Sequence, residues 1–189
     1  MLARRSFLGL VALSLAFLVA PAARANDDEV PSALAAQLFV KIATLDKNFA
    51  ARRLAHPRIL VVRHGGDDRS ARSASQLASY LAEVDDRRFP VDTVTYVTPG
   101  ALVSELDAHA ACIVVLTTGL EGDMPAIASA FSGKDVLTVG STGTLVDRGA
   151  NAGTEVRSGK PKIVVNLSTA RAQNVSFRAE LLNLARIVP

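Results

Sequence analysis

Three segments combine small and polar residues directly after apolar runs. They are His64-Gly65-Gly66-Asp67-Asp68, Thr117-Thr118-Gly119-Leu120-Glu121-Gly122-Asp123 and Gly140-Ser141-Thr142-Gly143-Thr144. Glycine lets a ligand approach the backbone closely. Hydroxyls and free backbone N–H groups can then hold an anion or a small polar molecule. The candidate ligand- or partner-binding set is therefore Gly65, Gly66, Thr117, Thr118, Gly140, Ser141, Thr142 and Gly143. Each loop taken alone is better explained as a plain turn; three of them converging on one sheet edge favour a pocket without identifying its contents. No lysine follows Gly143 as a phosphate loop requires, and no G-x-G-x-x-G occurs.

Bond-making chemistry has little to work with. There is no G-x-S-x-G and no H-E-x-x-H. His56, His64 and His109 lack metal-ligand spacing, and one cysteine cannot complete a zinc cluster. His64 with Asp67 and Asp68 is the one local set able to touch a metal, and such a loop is ordinarily solvated. The expectation is no catalytic residue, no metal and no cofactor. Cys112 could pair with a remote histidine as a nucleophile. However, it opens the apolar run Cys112-Ile113-Val114-Val115-Leu116, the setting of an inert buried thiol, so no redox role is expected. An odd cysteine in an exported protein is either buried or paired between chains, which leaves a homodimer open.

Something must position those loops. The chain has 189 residues, 49% hydrophobic and 21% charged, enough to bury a core without disulfide staples. That balance excludes a disordered or disulfide-scaffold class. The formal charge of +3 is misleading. Arg4, Arg5 and Arg24 fall in the first 25 residues, which hold no acid, and the remainder carries equal numbers of bases and acids. No nucleic-acid footprint follows.

Residues 1–25 read as a cleaved signal peptide. Arg4 and Arg5 form a positive start, and Phe7 to Ala20 is a 14-residue apolar run, shorter than the ~20 residues of a membrane span. Ala23-Arg24-Ala25 is a cleavage site, so residues 26–189 form the mature domain, beginning at Asn26. Arg4-Arg5-Ser6-Phe7-Leu8 fits general or twin-arginine export. The expected location is the periplasm.

From Pro31 onward, helical and strand patterns alternate. Leu34, Leu38, Ile42, Leu45 and Phe49 predict one helix from about Ser32 to Leu54, with Ser32 as its cap. Arg58–Arg63, Val91–Val97, Cys112–Leu116 and Asp135–Val139 predict strands. Helices are predicted around Ala74–Val84, Leu102–Ala110 and Met124–Phe131. Asp85-Asp86-Arg87-Arg88 reads as a polar helix end. Thr154–Arg157, Ser158–Pro161 and Lys162–Val165 predict strand, turn and strand. Phe177, Leu181, Leu184, Ala185 and Val188 predict a last amphipathic helix. The sum is a single α/β domain. It has a mostly parallel twisted sheet, flanking helices and a C-terminal antiparallel hairpin plus helix.

The C-terminal stretch carries a pattern. Val136-Leu137-Thr138-Val139, then Gly143 and Gly149, leads through Ile163-Val164-Val165-Asn166-Leu167 to Leu181-Leu182-Asn183-Leu184-Ala185-Arg186-Ile187-Val188. This resembles the YfiR-like family of small periplasmic proteins, of which this chain would be a divergent member. The resemblance implies a non-enzymatic regulator that binds the periplasmic part of an inner-membrane signalling protein, in the family's best-known case a diguanylate cyclase. That places it in cyclic-di-GMP signalling and biofilm control. Where the family often has a Cys-His pair, this chain reads Cys112-Ile113, and the family's further cysteines are absent. The alternative reading is a periplasmic small-ligand binding protein using the three loops.

Overall fold

Six consecutive buried residues need cover on both faces. Strand β3 (Ala111–Leu116) is such a run, and it lies near the middle of a seven-stranded sheet. The computed structural model describes residues 29–84 and 89–188. The export signal expected over residues 1–25 and the polar helix end expected at 85–88 lie outside them.

The elements follow in the order α1 (Ser32–Thr44), α2 (Phe49–Ala55), β1 (Arg58–His64), α3 (Asp68–Val84), β2 (Val91–Tyr96), α4 (Pro99–His109) and β3. Then come α5 (Met124–Ala130), β4 (Leu137–Gly140), α6 (Gly143–Asp147), β5 (Ala152–Arg157), β6 (Lys160–Asn166), α7 (Leu167–Ala172), α8 (Ala179–Leu182) and β7 (Ala185–Val188). The sheet order is β2-β1-β3-β4-β5-β6-β7. Strands β1 to β5 run parallel to one another. Strand β6 runs antiparallel to β5, and β7 runs parallel to β6. The expected α/β domain and its hairpin are thus present. Ser158 and Gly159, at φ 52° and 69°, form the two-residue hairpin turn. Positive φ at both positions matches the right-handed strand twist.

Two apolar layers clothe the sheet. One joins α1, α3 and the Phe177–Leu181 segment to Ile59, Val61, Val115 and Val139. The other joins α4, α5 and α6 to Leu60, Val62, Val114 and Leu116. The β1–β3 register slips by one residue between Arg58 and Ile59. The extra residue on β3 is accommodated at Cys112, and so Cys112 and Ile113 both serve the first layer.

Three sequence expectations fail. The helix read from Ser32 to Leu54 is two helices, because Asp46 leaves the spiral. Its carboxylate accepts from Arg52 Nη1, from Ser176 N at 2.9 Å and from Asn48 N at 3.2 Å. Lys47 N donates to Ser176 O at 2.8 Å, and Arg178 N to Leu45 O at 2.9 Å. Residues 45–48 thus satisfy a distant segment instead of the helix. Ser32 is not the cap either. Pro31 holds that position, and the Ser32 hydroxyl donates to Gln76 Oε1.

The helix expected over 177–188 is one short turn, α8, followed by β7. Residues Ala185–Val188 pair with Ile163–Asn166, so they close the sheet beside β6 instead of lying on it. Between them and β6, α7 is set by the Asn166 side chain, which accepts from Thr169 N at 3.1 Å.

Candidate functional site

Strands β1, β3 and β4 are adjacent and parallel, so their carboxyl ends share one edge. The connection after β1 enters α3 on one layer, and the connection after β3 enters α5 on the other. In open α/β sheets a crevice forms where such connections part. The three small-residue loops do meet at this edge. Gly119, at φ 95°, lies so close to the first loop that a Cβ on it would stand 2.7 Å from Asp67 Oδ2.

The eight expected residues divide into three kinds. Thr118, Thr142 and Gly143 line a cavity of about 390 Å³. Thr117, Gly140 and Ser141 are buried and brace it. Thr117 Oγ1 bonds to Val62 O at 2.9 Å and to Ser70 Oγ at 2.8 Å. Ser141 N donates to Leu116 O at 2.9 Å. Gly140 admits Leu145, whose Cβ would be 2.7 Å from a Cβ at 140. Gly65 and Gly66 are exposed and do not line the cavity; Gly66, at φ 76°, makes the turn into α3. Asp67 starts that helix, its Oδ1 accepting from Arg69 N at 2.8 Å and Ser70 N at 3.1 Å. The bond from Ser70 N is the main cause holding the Asp67 carboxyl below its ordinary range.

The charge of the cavity is legible in those loops only through Glu121 of the second one. Glu29, Glu121, Asp147 and Glu155 line it, against Arg69 alone. Arg69 Nη2 donates to Thr118 Oγ1 at 3.1 Å, tying α3 to the second loop. Glu121 Oε2 accepts from Gly119 N at 2.8 Å, and Glu29 Oε1 from the Ser73 hydroxyl at 3.2 Å. Glu155 and Asp147 are paired with Arg186, so Glu29 and Glu121 set the excess negative charge, which disfavours an anion and suits a neutral or amine-bearing molecule.

Beside the cavity stands Arg186. Its Nε and Nη2 meet Glu155 Oε1 and Oε2 at 3.0 and 2.9 Å, and its Nη1 meets Asp147 Oδ1 at 2.9 Å. The bonds to Glu155 come first in raising the Arg186 pKa still further. Gly143 leaves room for this pair, since a Cβ there would stand 2.5 Å from Glu155 Oε2. Sequence reasoning named Gly143 but not Arg186, Glu155, Asp147 or Arg69. The one available signal was the arginine within the terminal Leu184-Ala185-Arg186 motif, which is otherwise apolar.

Among the described residues no group of three His, Cys, Asp or Glu side chains could hold a metal ion. His109 sits in a surface pairing, 3.1 Å from Asp92 and 3.3 Å from Glu105. Cys112 is buried, and burial pushes its thiol up to about 12. It is therefore protonated and a poor nucleophile at neutral pH.

Solved structures share this architecture. The ABC domain from Streptococcus pneumonia in complex with L-Trp superposes with a TM-score of 0.62 at 12% identity. CD0873, a substrate binding protein with adhesive properties from Clostridium difficile, gives 0.62 at 14%. A conserved domain protein from Vibrio cholerae gives 0.58 at 15%. The matches cover 84%, 85% and 84% of this chain and 60% of each of the others. This chain thus spans well under two thirds of their length, and the likeness is one of fold. No curated protein sequence matches the chain closely enough to count as a relative. A sequence family does: residues 32–186, almost the whole of the described α/β domain, match the YfiR/HmsC-like family, and the chain belongs to it.

Proposed function

We propose that the protein is a periplasmic, non-enzymatic regulator of a membrane signalling protein, in the first instance a diguanylate cyclase. Family membership over residues 32–186 is the observation that carries this reading. The export signal of residues 1–25 and the mature start at Asn26 supply the compartment. Regulation proceeds by linkage: a regulator that binds the inactive state of its partner better shifts the partner toward that state. Moving a partner from almost fully active to almost fully inactive needs about 10⁴-fold preference for one state. Deleting the gene in its native host should raise cellular cyclic-di-GMP several-fold, and a plasmid copy should restore the lower level. An unchanged level in the deletion strain overturns the reading.

The carboxyl-edge cavity favours a second reading, in which a small polar molecule is bound. Its hydroxyls and carboxylates suit an amine-bearing ligand. Native mass spectrometry of protein purified from the periplasm tests this. A retained mass that disappears with Thr118→Val and Glu121→Gln supports it, and ligand-free protein argues against it.

A further inference from the structure

The amino-terminal edge of the sheet carries a cavity of opposite character. Where α1 stops at Thr44 and α2 restarts at Phe49, the chain opens a groove of about 740 Å³. Val40, Phe49, Ala50, Pro57 and Phe89 form its apolar walls, and Leu54 stands at its lip, 88% exposed. Phe49 and Phe89 pack with ring centres 6.0 Å apart. The Arg53 guanidinium lies 4.2 Å over the Phe89 ring.

Among the described residues that line this groove, the solvent-facing charges share one sign. Lys47, Arg53 and Arg178 line it, and its one acid is Asp46. The Asp46 side chain is fully buried, and Arg52, Ser176 N and Asn48 N occupy its oxygens. The groove therefore offers an outside molecule apolar surface and three cations, with no exposed carboxylate among its lining residues.

The geometry points to this groove as the docking site for a segment of the membrane partner's periplasmic part. That segment carries a large apolar side chain flanked by Asp or Glu. The inference rests on the regulator reading above and adds where the partner binds and with what chemistry. Apolar anchors buried in a groove supply affinity, while surrounding charges supply steering and register. A second copy docked groove to groove would set these cations against each other. A lipid surface is flat and cannot fill a concave groove of this volume.

The test places the photocrosslinker p-benzoylphenylalanine at position 54 of the full-length protein in its native host. Matched probes go at Val97 and Leu184, also exposed. The expected result is an adduct from position 54 with an inner-membrane protein. The adduct should map to a periplasmic segment in which an apolar residue is flanked by acids. Lys47→Glu with Arg178→Glu should reduce its yield about tenfold or more, with an unchanged melting temperature. Several results overturn the inference: no adduct from position 54, an adduct with lipid or a second copy, or a yield indifferent to charge reversal. If the deletion strain still shows raised cyclic-di-GMP in those cases, the groove alone is at fault and the regulator reading survives. If deletion changes nothing, the regulator reading fails, whatever position 54 captures.

Discussion

Arg186 grips Glu155 through two parallel hydrogen bonds of 3.0 and 2.9 Å, joining β7 to β5 across the intervening β6. The pair is mostly shielded from solvent, with side chains 29% and 17% exposed. Such a planar fork is stronger than a single-point surface pair and demands a guanidinium. It also holds the last strand against the wall of the carboxyl-edge cavity.

Breaking this grip should loosen the C-terminal strand. Arg186→Ala should cost roughly 1–3 kcal/mol, the range for hydrogen bonds to charged groups. Arg186→Lys should recover only part, because an ammonium cannot make both bonds. Gly143→Ala should show a similar loss, because its Cβ would collide with Glu155. Urea unfolding of the three variants measures this. Equal stability of Arg186→Lys and wild type would show that charge alone suffices there.

The Asp46–Arg52 pair is different, because both side chains are fully buried. Arg52 also donates to Asp135 Oδ1 at 2.8 Å and to Asn174 O at 3.0 Å. Arg52→Ala strands the buried Asp46 carboxylate, which costs about 3–5 kcal/mol, whereas Asp46→Ala leaves Arg52 its bond to Asp135. Arg52→Ala should therefore remove a large share of a typical stability of about 5–15 kcal/mol, and Asp46→Ala somewhat less. Asp135→Asn, at a half-exposed position, should cost far less. Thermal melting of the three variants, in that order of severity, checks the assignment.

Leu181 and Leu184 separate the observed C-terminus from the one its spacing suggests. Both fall on the apolar stripe of a continuous helix. In the structure Leu181 is fully buried, whereas Leu184 is 71% exposed in the turn before β7. Leu181→Ala should therefore cost about 2–5 kcal/mol. Leu184→Ala should stay within about 0.5 kcal/mol of wild type. Comparable losses at both positions would restore the long helix.

That stripe shows where sequence reading stops. The central strands were legible because Val, Ile and Leu run unbroken over Cys112–Leu116, and a run covered on both faces depends on no distant partner. The hairpin was legible because Ser158–Pro161 holds turn residues, although the structure confines the turn to Ser158 and Gly159 and puts Lys160 and Pro161 in β6. The break at Leu45–Asn48 was not legible, because it is made by Ser176 and Arg178, some 130 residues away in the chain. Strand β7 was hidden for the same reason: pairing with β6, not local preference, decides that Ala185–Val188 is extended. At the carboxyl edge the three loops could be placed by topology. Their charge could be read only at Glu121, since Glu29, Arg69, Asp147 and Glu155 lie outside them.

Cys112 supplies a prediction in pH. Burial is the leading cause that raises its thiol from 9.0 to about 12. The folded state therefore holds this proton more tightly than the unfolded chain does. The resulting stability is fully present below about pH 9 and is lost as pH climbs through the folded value. Cys112→Ala removes the titrating group, so its stability relative to wild type should improve steadily from pH 9 upward and be constant below. Denaturant midpoints for both proteins at pH 7, 9 and 10.5 measure the difference. The same burial predicts slow labelling of native Cys112 by a thiol reagent at pH 7 and rapid labelling in urea. A pH-independent difference between the two proteins, or fast labelling of the native thiol, would place Cys112 in contact with solvent. Its position at the extra residue of β3 would then be an entry point into the core and not part of it.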